Sequence, residues 1–124
     1  MDQLQIQIQT KHYRDAYDFI LRCPLELALK ERFPEAYIIV GSKRVVIIHN
    51  PTKDVDAIVY SISDNYNVKS CEANIKLAKE GGVVGSTVTL TKTGVQENYF
   101  LTPPKDDHIG NNVEINALPA DLFT

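Results

Sequence analysis

The sequence predicts an α+β domain, a mostly antiparallel sheet of about five strands packed with two or three short helices. Three observations predict it. Residues 3–9 alternate without exception, Leu4, Ile6 and Ile8 against Gln3, Gln5, Gln7 and Gln9, and a strand sends successive side chains to opposite faces. Two β-branched runs, 36–40 and 44–49, flank Gly41-Ser42-Lys43, the pattern of a hairpin. Between such runs lie short amphipathic stretches with helix start and stop signals.

Each element follows in order. The strand 3–9 is half-buried, with a neutral amide-lined outer face. Residues 10–22 carry Tyr13, Tyr17 and Phe19 and read as a structured connection with a helical turn from Asp15. From Cys23 to Pro34 the chain predicts a helix. Pro24 suits the first helical position, where its missing N–H is not needed, and Pro34 disfavours helical geometry in the residue before it. The hairpin 36–49 is nearly continuously apolar, which predicts a central position covered on both faces. In 53–64, Val55, Ile58, Val59 and Ile62 share a helical face, and Thr52 and Asp54 are good N-caps. The balance leans to a helix, against a β-branched composition that favours a strand. Val68, Cys71, Ile75 and Ala78 form a cleaner helical stripe over 67–80, closed by Gly81-Gly82. Val84–Leu90 alternates with Thr87, Thr89 and Thr91, and Lys92-Thr93-Gly94 reads as the turn into a partner strand, 95–101. Pro103-Pro104 ends the sheet, since neither residue donates a ladder hydrogen bond.

The charge separates the chain into two parts. Residues 1–102 hold twelve basic and twelve acidic side chains, and the formal −3 arises after Pro104, where Lys105 stands against Asp106, Asp107, Glu114 and Asp121. The sequence thus predicts one domain, 1–104, and an acidic loop-like tail, 105–124, whose removal leaves the fold largely intact. A neutral body lacks the clustered cations that a nucleic-acid groove or an anionic membrane surface requires. The first residues have neither a cationic nor an apolar leader segment, which predicts a cytoplasmic protein with Cys23 and Cys71 as reduced, buried thiols.

Candidate chemistry is sparse. Cys23 is the catalytic suspect, because a helix N-terminus and Arg22 beside it would both favour a thiolate. The competing reading, a small residue packing the helix start against the sheet, weighs more, since His12, His49 and His108 stand in no recognisable catalytic pattern. Gly81-Gly82-Val83-Val84-Gly85 lies between a helix and a following strand, the reverse of a phosphate loop, and reads as cap and turn. Asp106-Asp107-His108 reads as a solvated turn, so neither metal nor cofactor is expected.

The run Cys23-Pro24-Leu25-x-Leu27-Ala28-Leu29, followed by the hairpin and by Val55-x-x-Ile58-x-x-x-Ile62-x-Asp64, resembles small uncharacterised proteins of bacteriophages and mobile elements. The resemblance implies provenance and no particular activity.

Two functional readings follow, with a Cys23-dependent enzyme a distant third. The first is a non-enzymatic accessory or assembly protein acting through protein contacts, as a homo-oligomer, a virion component or a host-interaction factor. Its interface residues are Gln3, Gln5, Gln7 and Gln9 with Thr87, Thr89 and Thr91, polar strand faces without the lysines that usually guard sheet edges. The second is a binder of a small nucleotide-like ligand, with Arg14, Arg22, Lys43 and Arg44 as phosphate contacts.

Overall fold

Alternation in the first residues produces strand β1 (Gln3–Ile8), with Leu4, Ile6 and Ile8 buried and the glutamines exposed. The structure is a computed structural model that describes residues 2–51 and 56–96. After β1 come helices α1 (Thr10–Asp15) and α2 (Pro24–Arg32), then strands β2 (Tyr37–Val40), β3 (Arg44–Ile48) and β4 (Ala57–Ile62). Helix α3 (Val68–Lys79) and strand β5 (Ser86–Gln96) follow. The strands form one antiparallel sheet in the order β1-β5-β4-β3-β2. The predicted α+β class is the observed one.

Local chemistry sets the helix ends. Pro24 occupies the first turn of α2, and Phe33, directly before Pro34, is its C-cap. Asn67 caps α3 by accepting the Ser70 N–H at 2.9 Å. At the other end Gly81 takes a φ of +94°, a left-handed conformation that suits a residue without a Cβ. The Gly81 and Gly82 amides then bond back to the carbonyls of Ala78 and Leu77 at 3.1 and 2.9 Å, which closes a Schellman cap. Helix α1 begins earlier than expected: its last residue, rather than its first, is Asp15.

Two further expectations are corrected. Residues 57–62 form a strand, not a helix. Pairing with β3 on one side and β5 on the other outweighs a helical spacing that four apolar residues meet by chance, and Ile58 and Val59 point to opposite faces. Nor does Lys92-Thr93-Gly94 turn the chain back. Strand β5 runs straight through it, because β4 lies alongside from Leu90 to Gln96. Val59 faces Gly94 while Tyr60 faces Lys92, which leaves Thr93 as the extra residue of a β-bulge. The expected partner strand 95–101 and the tail 105–124 extend beyond the described residues, as does Asp106-Asp107-His108.

All three helices pack on one face of the sheet, where Tyr13, Leu25, Leu29, Cys71 and Ile75 meet Ile6, Ile47, Val88 and Leu90. Val46, Ile48, Ala57 and Val59 form a separate cluster on the opposite face, with Ile39 against it. Strand β3 is therefore buried on both faces as predicted, and each such side chain contributes about 1.5–3 kcal/mol. Its hairpin partner β2 is not central; it is the outer strand at that end of the sheet.

Candidate interaction surface

Sheet register unites residues that the sequence separates by some eighty positions. Gln3, Gln5 and Gln7 stand opposite Thr91, Thr89 and Thr87. Thr87 Oγ1 donates to Gln7 Oε1 at 2.7 Å, Thr89 Oγ1 donates to Gln5 Oε1 at 3.1 Å, and Gln3 Nε2 donates to Thr91 Oγ1 at 3.4 Å. The two polar faces are thus one ladder of cross-strand pairs on the sheet face opposite the helices. Gln9 stands apart, as the N-cap of α1. The edge argument also divides. Strand β5 has a neighbour on each side and offers no edge, whereas β1 is an outer strand.

The free side of β1 can be read from its bonding. Thr89 directs its carbonyl to the Ser63 N–H of the neighbouring segment, at 3.0 Å. Thr89 and Gln5 are therefore a non-hydrogen-bonded pair, and the backbone groups of Gln3, Gln5 and Gln7 point outward. Arg32 Nη1 covers one of them, donating to the Gln5 carbonyl at 2.5 Å. A groove of about 240 Å³ runs between this edge and α2, lined by Gln5, Gln7, His12 and Arg32 among others.

His12, a residue the sequence left without a role, closes the inner end of that groove. It is buried, its Nδ1 accepts the Gln9 N–H at 2.9 Å, and its Nε2 lies 3.0 Å from Glu31 Oε2. An Nδ1 that accepts leaves the proton on Nε2, which donates to Glu31. The hydrogen bond from His12 and that from Lys11 hold the Glu31 carboxyl below its ordinary range. With both ring nitrogens engaged, His12 fastens α1 to α2 and has no lone pair left to serve as a general base.

Cys23 is fully buried and acts as the N-cap of α2, its Sγ accepting the Glu26 N–H at 3.4 Å. Burial pushes its thiol up, and the hydrogen bonds of Tyr66 and of the Glu26 amide only oppose that shift. The shift favours the packed-cap reading of Cys23 over an activated thiolate: Arg22 is exposed, and desolvation outweighs the helix terminus. Cys71 is also buried and, chiefly by desolvation, pushed up to about 11. Both cysteines are free thiols, as expected. The Tyr66 hydroxyl accepts from the Leu25 N–H at 3.3 Å and from Cys71 Sγ at 3.9 Å, joining α2 to α3.

The four proposed phosphate contacts lie on different elements. Arg14 sits on α1, its Nε 3.7 Å from Asp15 Oδ1. Arg22 follows an exposed loop, and Arg44 opens β3 opposite Ser61. Lys43 lines a groove of about 280 Å³ with Phe19, Ile62, Asp64, Tyr66 and Val68, among others. Arg14, Arg22 and Arg44 line neither of the two grooves described.

The loop 17–22 is the second surface. Tyr17, Ile20 and Leu21 are 70, 77 and 60% exposed. The segment is nonetheless tightly bonded. Tyr17 N–H reaches the Arg22 carbonyl and Asp18 N–H the Leu21 carbonyl, both at 3.1 Å. Asp18 Oδ1 accepts the Ile20 and Leu21 amides at 2.7 and 2.6 Å, and Phe19 stacks on Tyr66 with centroids 5.4 Å apart. Arg22 turns the chain into α2 with a φ of +48°, uncommon for a residue with a side chain. In the sequence this loop is marked by the apolar run Phe19-Ile20-Leu21 beside Tyr17.

No helix among the described residues is long and apolar enough to cross a membrane, and no cluster of three metal-ligating side chains is found there. Comparison with protein-family models, with characterised proteins and with solved structures finds no match.

Proposed function

We propose that this chain is a non-enzymatic accessory or assembly protein that works through protein–protein contacts, with the outer edge of β1 as the principal contact. The observation that carries the reading is the edge itself. Outward backbone groups at Gln3, Gln5 and Gln7 lie beside a neutral glutamine face, with one arginine as guard. An extended segment from another chain fits such an edge as an added strand, and its main-chain bonds supply most of the affinity. The bacteriophage or mobile-element provenance implied by the Cys-Pro-Leu helix start agrees with a virion component or host-interaction factor. The buried, deactivated Cys23 and the fully engaged His12 supply no rival chemistry.

Amide exchange at Gln5 and Gln7 tests the reading. The expected result is fast exchange in dilute protein and protection when protein concentration is raised or extract from the producing cells is added. Gln7→Pro removes an outward N–H that β5 does not use, so it should abolish the protection while preserving the fold. A strict monomer at tens of micromolar, with both amides unprotected in extract, would sink the proposal.

A further inference from the structure

Strands β2, β3 and β4 carry their second apolar cluster on the sheet face turned away from the helices. Val46 has Val59 as its cross-strand partner on one side and Ile39 on the other, and Ile48 and Ala57 lie next along β3 and β4. Val46, Ile48 and Ala57 are 0% exposed and Val59 is 5% exposed. A sheet face with nothing over it leaves its side chains in water, as the other half of this same face does, where Gln3, Gln5, Gln7 and Thr87 are exposed. Yet all three helices lie on the opposite side, and among the described residues Ile39 is the one partly buried apolar side chain packed against the cluster. The burial is that of a single chain, so the cover comes from the chain itself and not from a second copy. From this mismatch between burial and visible cover we infer that the segment following β5 folds back over the cluster and closes it with Tyr99, Phe100 and Leu101. The inference goes beyond the contact reading above and does not depend on it.

Three features select that segment. The first is where β5 ends. Gln96 is the cross-strand partner of Ala57, itself a member of the cluster, so the chain leaves the sheet at the cluster's border. Tyr99 and Leu101 follow three and five residues later, at most roughly 17 Å of extended chain, against a cluster about 7 Å long and about 10 Å wide. The second is size: aromatic side chains bury about 150–250 Å² each, enough to shut a patch of those dimensions. The third is the poverty of other sources. Residues 52–55 hold one apolar side chain, Val55, in the link from β3 to β4, and Met1 adjoins the polar half of the face. Val113 and Ile115 are separated from β5 by Pro103-Pro104 and by the Asp106-Asp107 pair, whose charges are costly to bury. A cover of this kind hides an apolar patch that would otherwise compete with β1 for partners. It leaves the glutamine–threonine ladder as the open half of the face.

Nuclear Overhauser spectra of the full chain with labelled Val and Ile methyls read the contact directly. The ring protons of Tyr99 and Phe100 should give cross-peaks to the methyls of Val46, Ile48 and Val59, and none to those of Val88 on the helix side. Phe100→Ala should lower Tm by roughly 10 °C. Combined with Val46→Ala, the two losses should fall short of their sum, because the residues share a contact; combined with Val88→Ala, they should add. A chain ending at Pro104 should keep the cross-peaks and a Tm within about 3 °C of the parent. Three results would overturn the inference: no cross-peak from residues 99–101 to the cluster, cross-peaks to Val113, Ile115 or Leu118 in their place, or simple additivity of Phe100→Ala with Val46→Ala.

Discussion

Treating the native protein with a small disulfide reagent near pH 8 asks whether Cys23 is an activated nucleophile or a packed cap. Two barriers apply. Cys23 and Cys71 are 0 and 1% exposed, so the reagent meets sulfur only when the domain opens. For an opening free energy of about 5 kcal/mol, the low end for a small domain, the open form is roughly one molecule in 5,000. Where a sulfur is reached without opening, protonation is the second barrier. A thiol at about 11, as for Cys71, is roughly 0.1% thiolate near pH 8, whereas a free thiol near 8.5 is about a quarter ionised. The reactive thiolate fraction is therefore roughly 200-fold smaller than in a free thiol, and burial adds to that barrier, so the native protein reacts much more slowly. Burial shifts Cys23 in the same direction. The assay is the absorbance of the released aryl thiolate, followed under native conditions and again in denaturant, where both thiols should titrate at once. A single fast thiol in the native protein, lost in Cys23→Ala, would refute the reasoning and restore the enzymatic reading.

Arg32→Ala uncovers the Gln5 carbonyl and should strengthen concentration-dependent association while changing stability by less than about 0.5 kcal/mol; light scattering and urea unfolding read the two effects. Ile47→Ala empties a fully buried site at the centre of the main core, and a loss of about 2–5 kcal/mol should appear as a lower urea midpoint. Glu31 binds its proton more weakly folded than unfolded, so its contribution is complete above pH 4.5 and is lost as pH falls through the depressed folded value. Glu31→Gln should accordingly flatten the acid limb of a plot of Tm against pH. Cys71 has the opposite sign. Its contribution is complete below pH 9.0 and is lost as pH rises through about 11, an alkaline loss that Cys71→Ala should remove from the same plot.

Elements specified by their own residues were legible in the sequence. The alternation of 3–9, the Pro24 and Pro34 boundaries of α2, and Gly81 at the end of α3 are local signals, and each stands where its chemistry requires. Elements specified by neighbours were not. Residues 57–62 have a helical stripe and a strand composition, and only the presence of β3 and β5 on either side decides between them. Likewise Lys92-Thr93-Gly94 has the composition of a turn and becomes a bulge because β4 continues past it. Of the candidate surface, the glutamine face was legible and its threonine partners were named, but their pairing is a matter of register. Residues 10–22 were read as a structured connection, but the form of the Tyr17–Arg22 loop was not legible, because its order comes from Asp18, Phe19 and a distant Tyr66 rather than from any periodic pattern.

On the proposed reading the β1 edge supplies affinity rather than selectivity. Along β1 the glutamine side chains are already bonded to Thr87, Thr89 and Thr91, so what remains on offer at the edge is backbone, which any extended segment can match. An edge used in this way would bind readily and discriminate poorly, and Arg32 covers one of its carbonyls, that of Gln5. The Tyr17–Arg22 loop is the reverse. Its Ile20 and Leu21 amides are consumed by Asp18, and what it presents to solvent is side chains. On the proposed reading strand addition holds the partner, and backbone pairing of that kind needs none of the clustered charge that the first hundred residues lack.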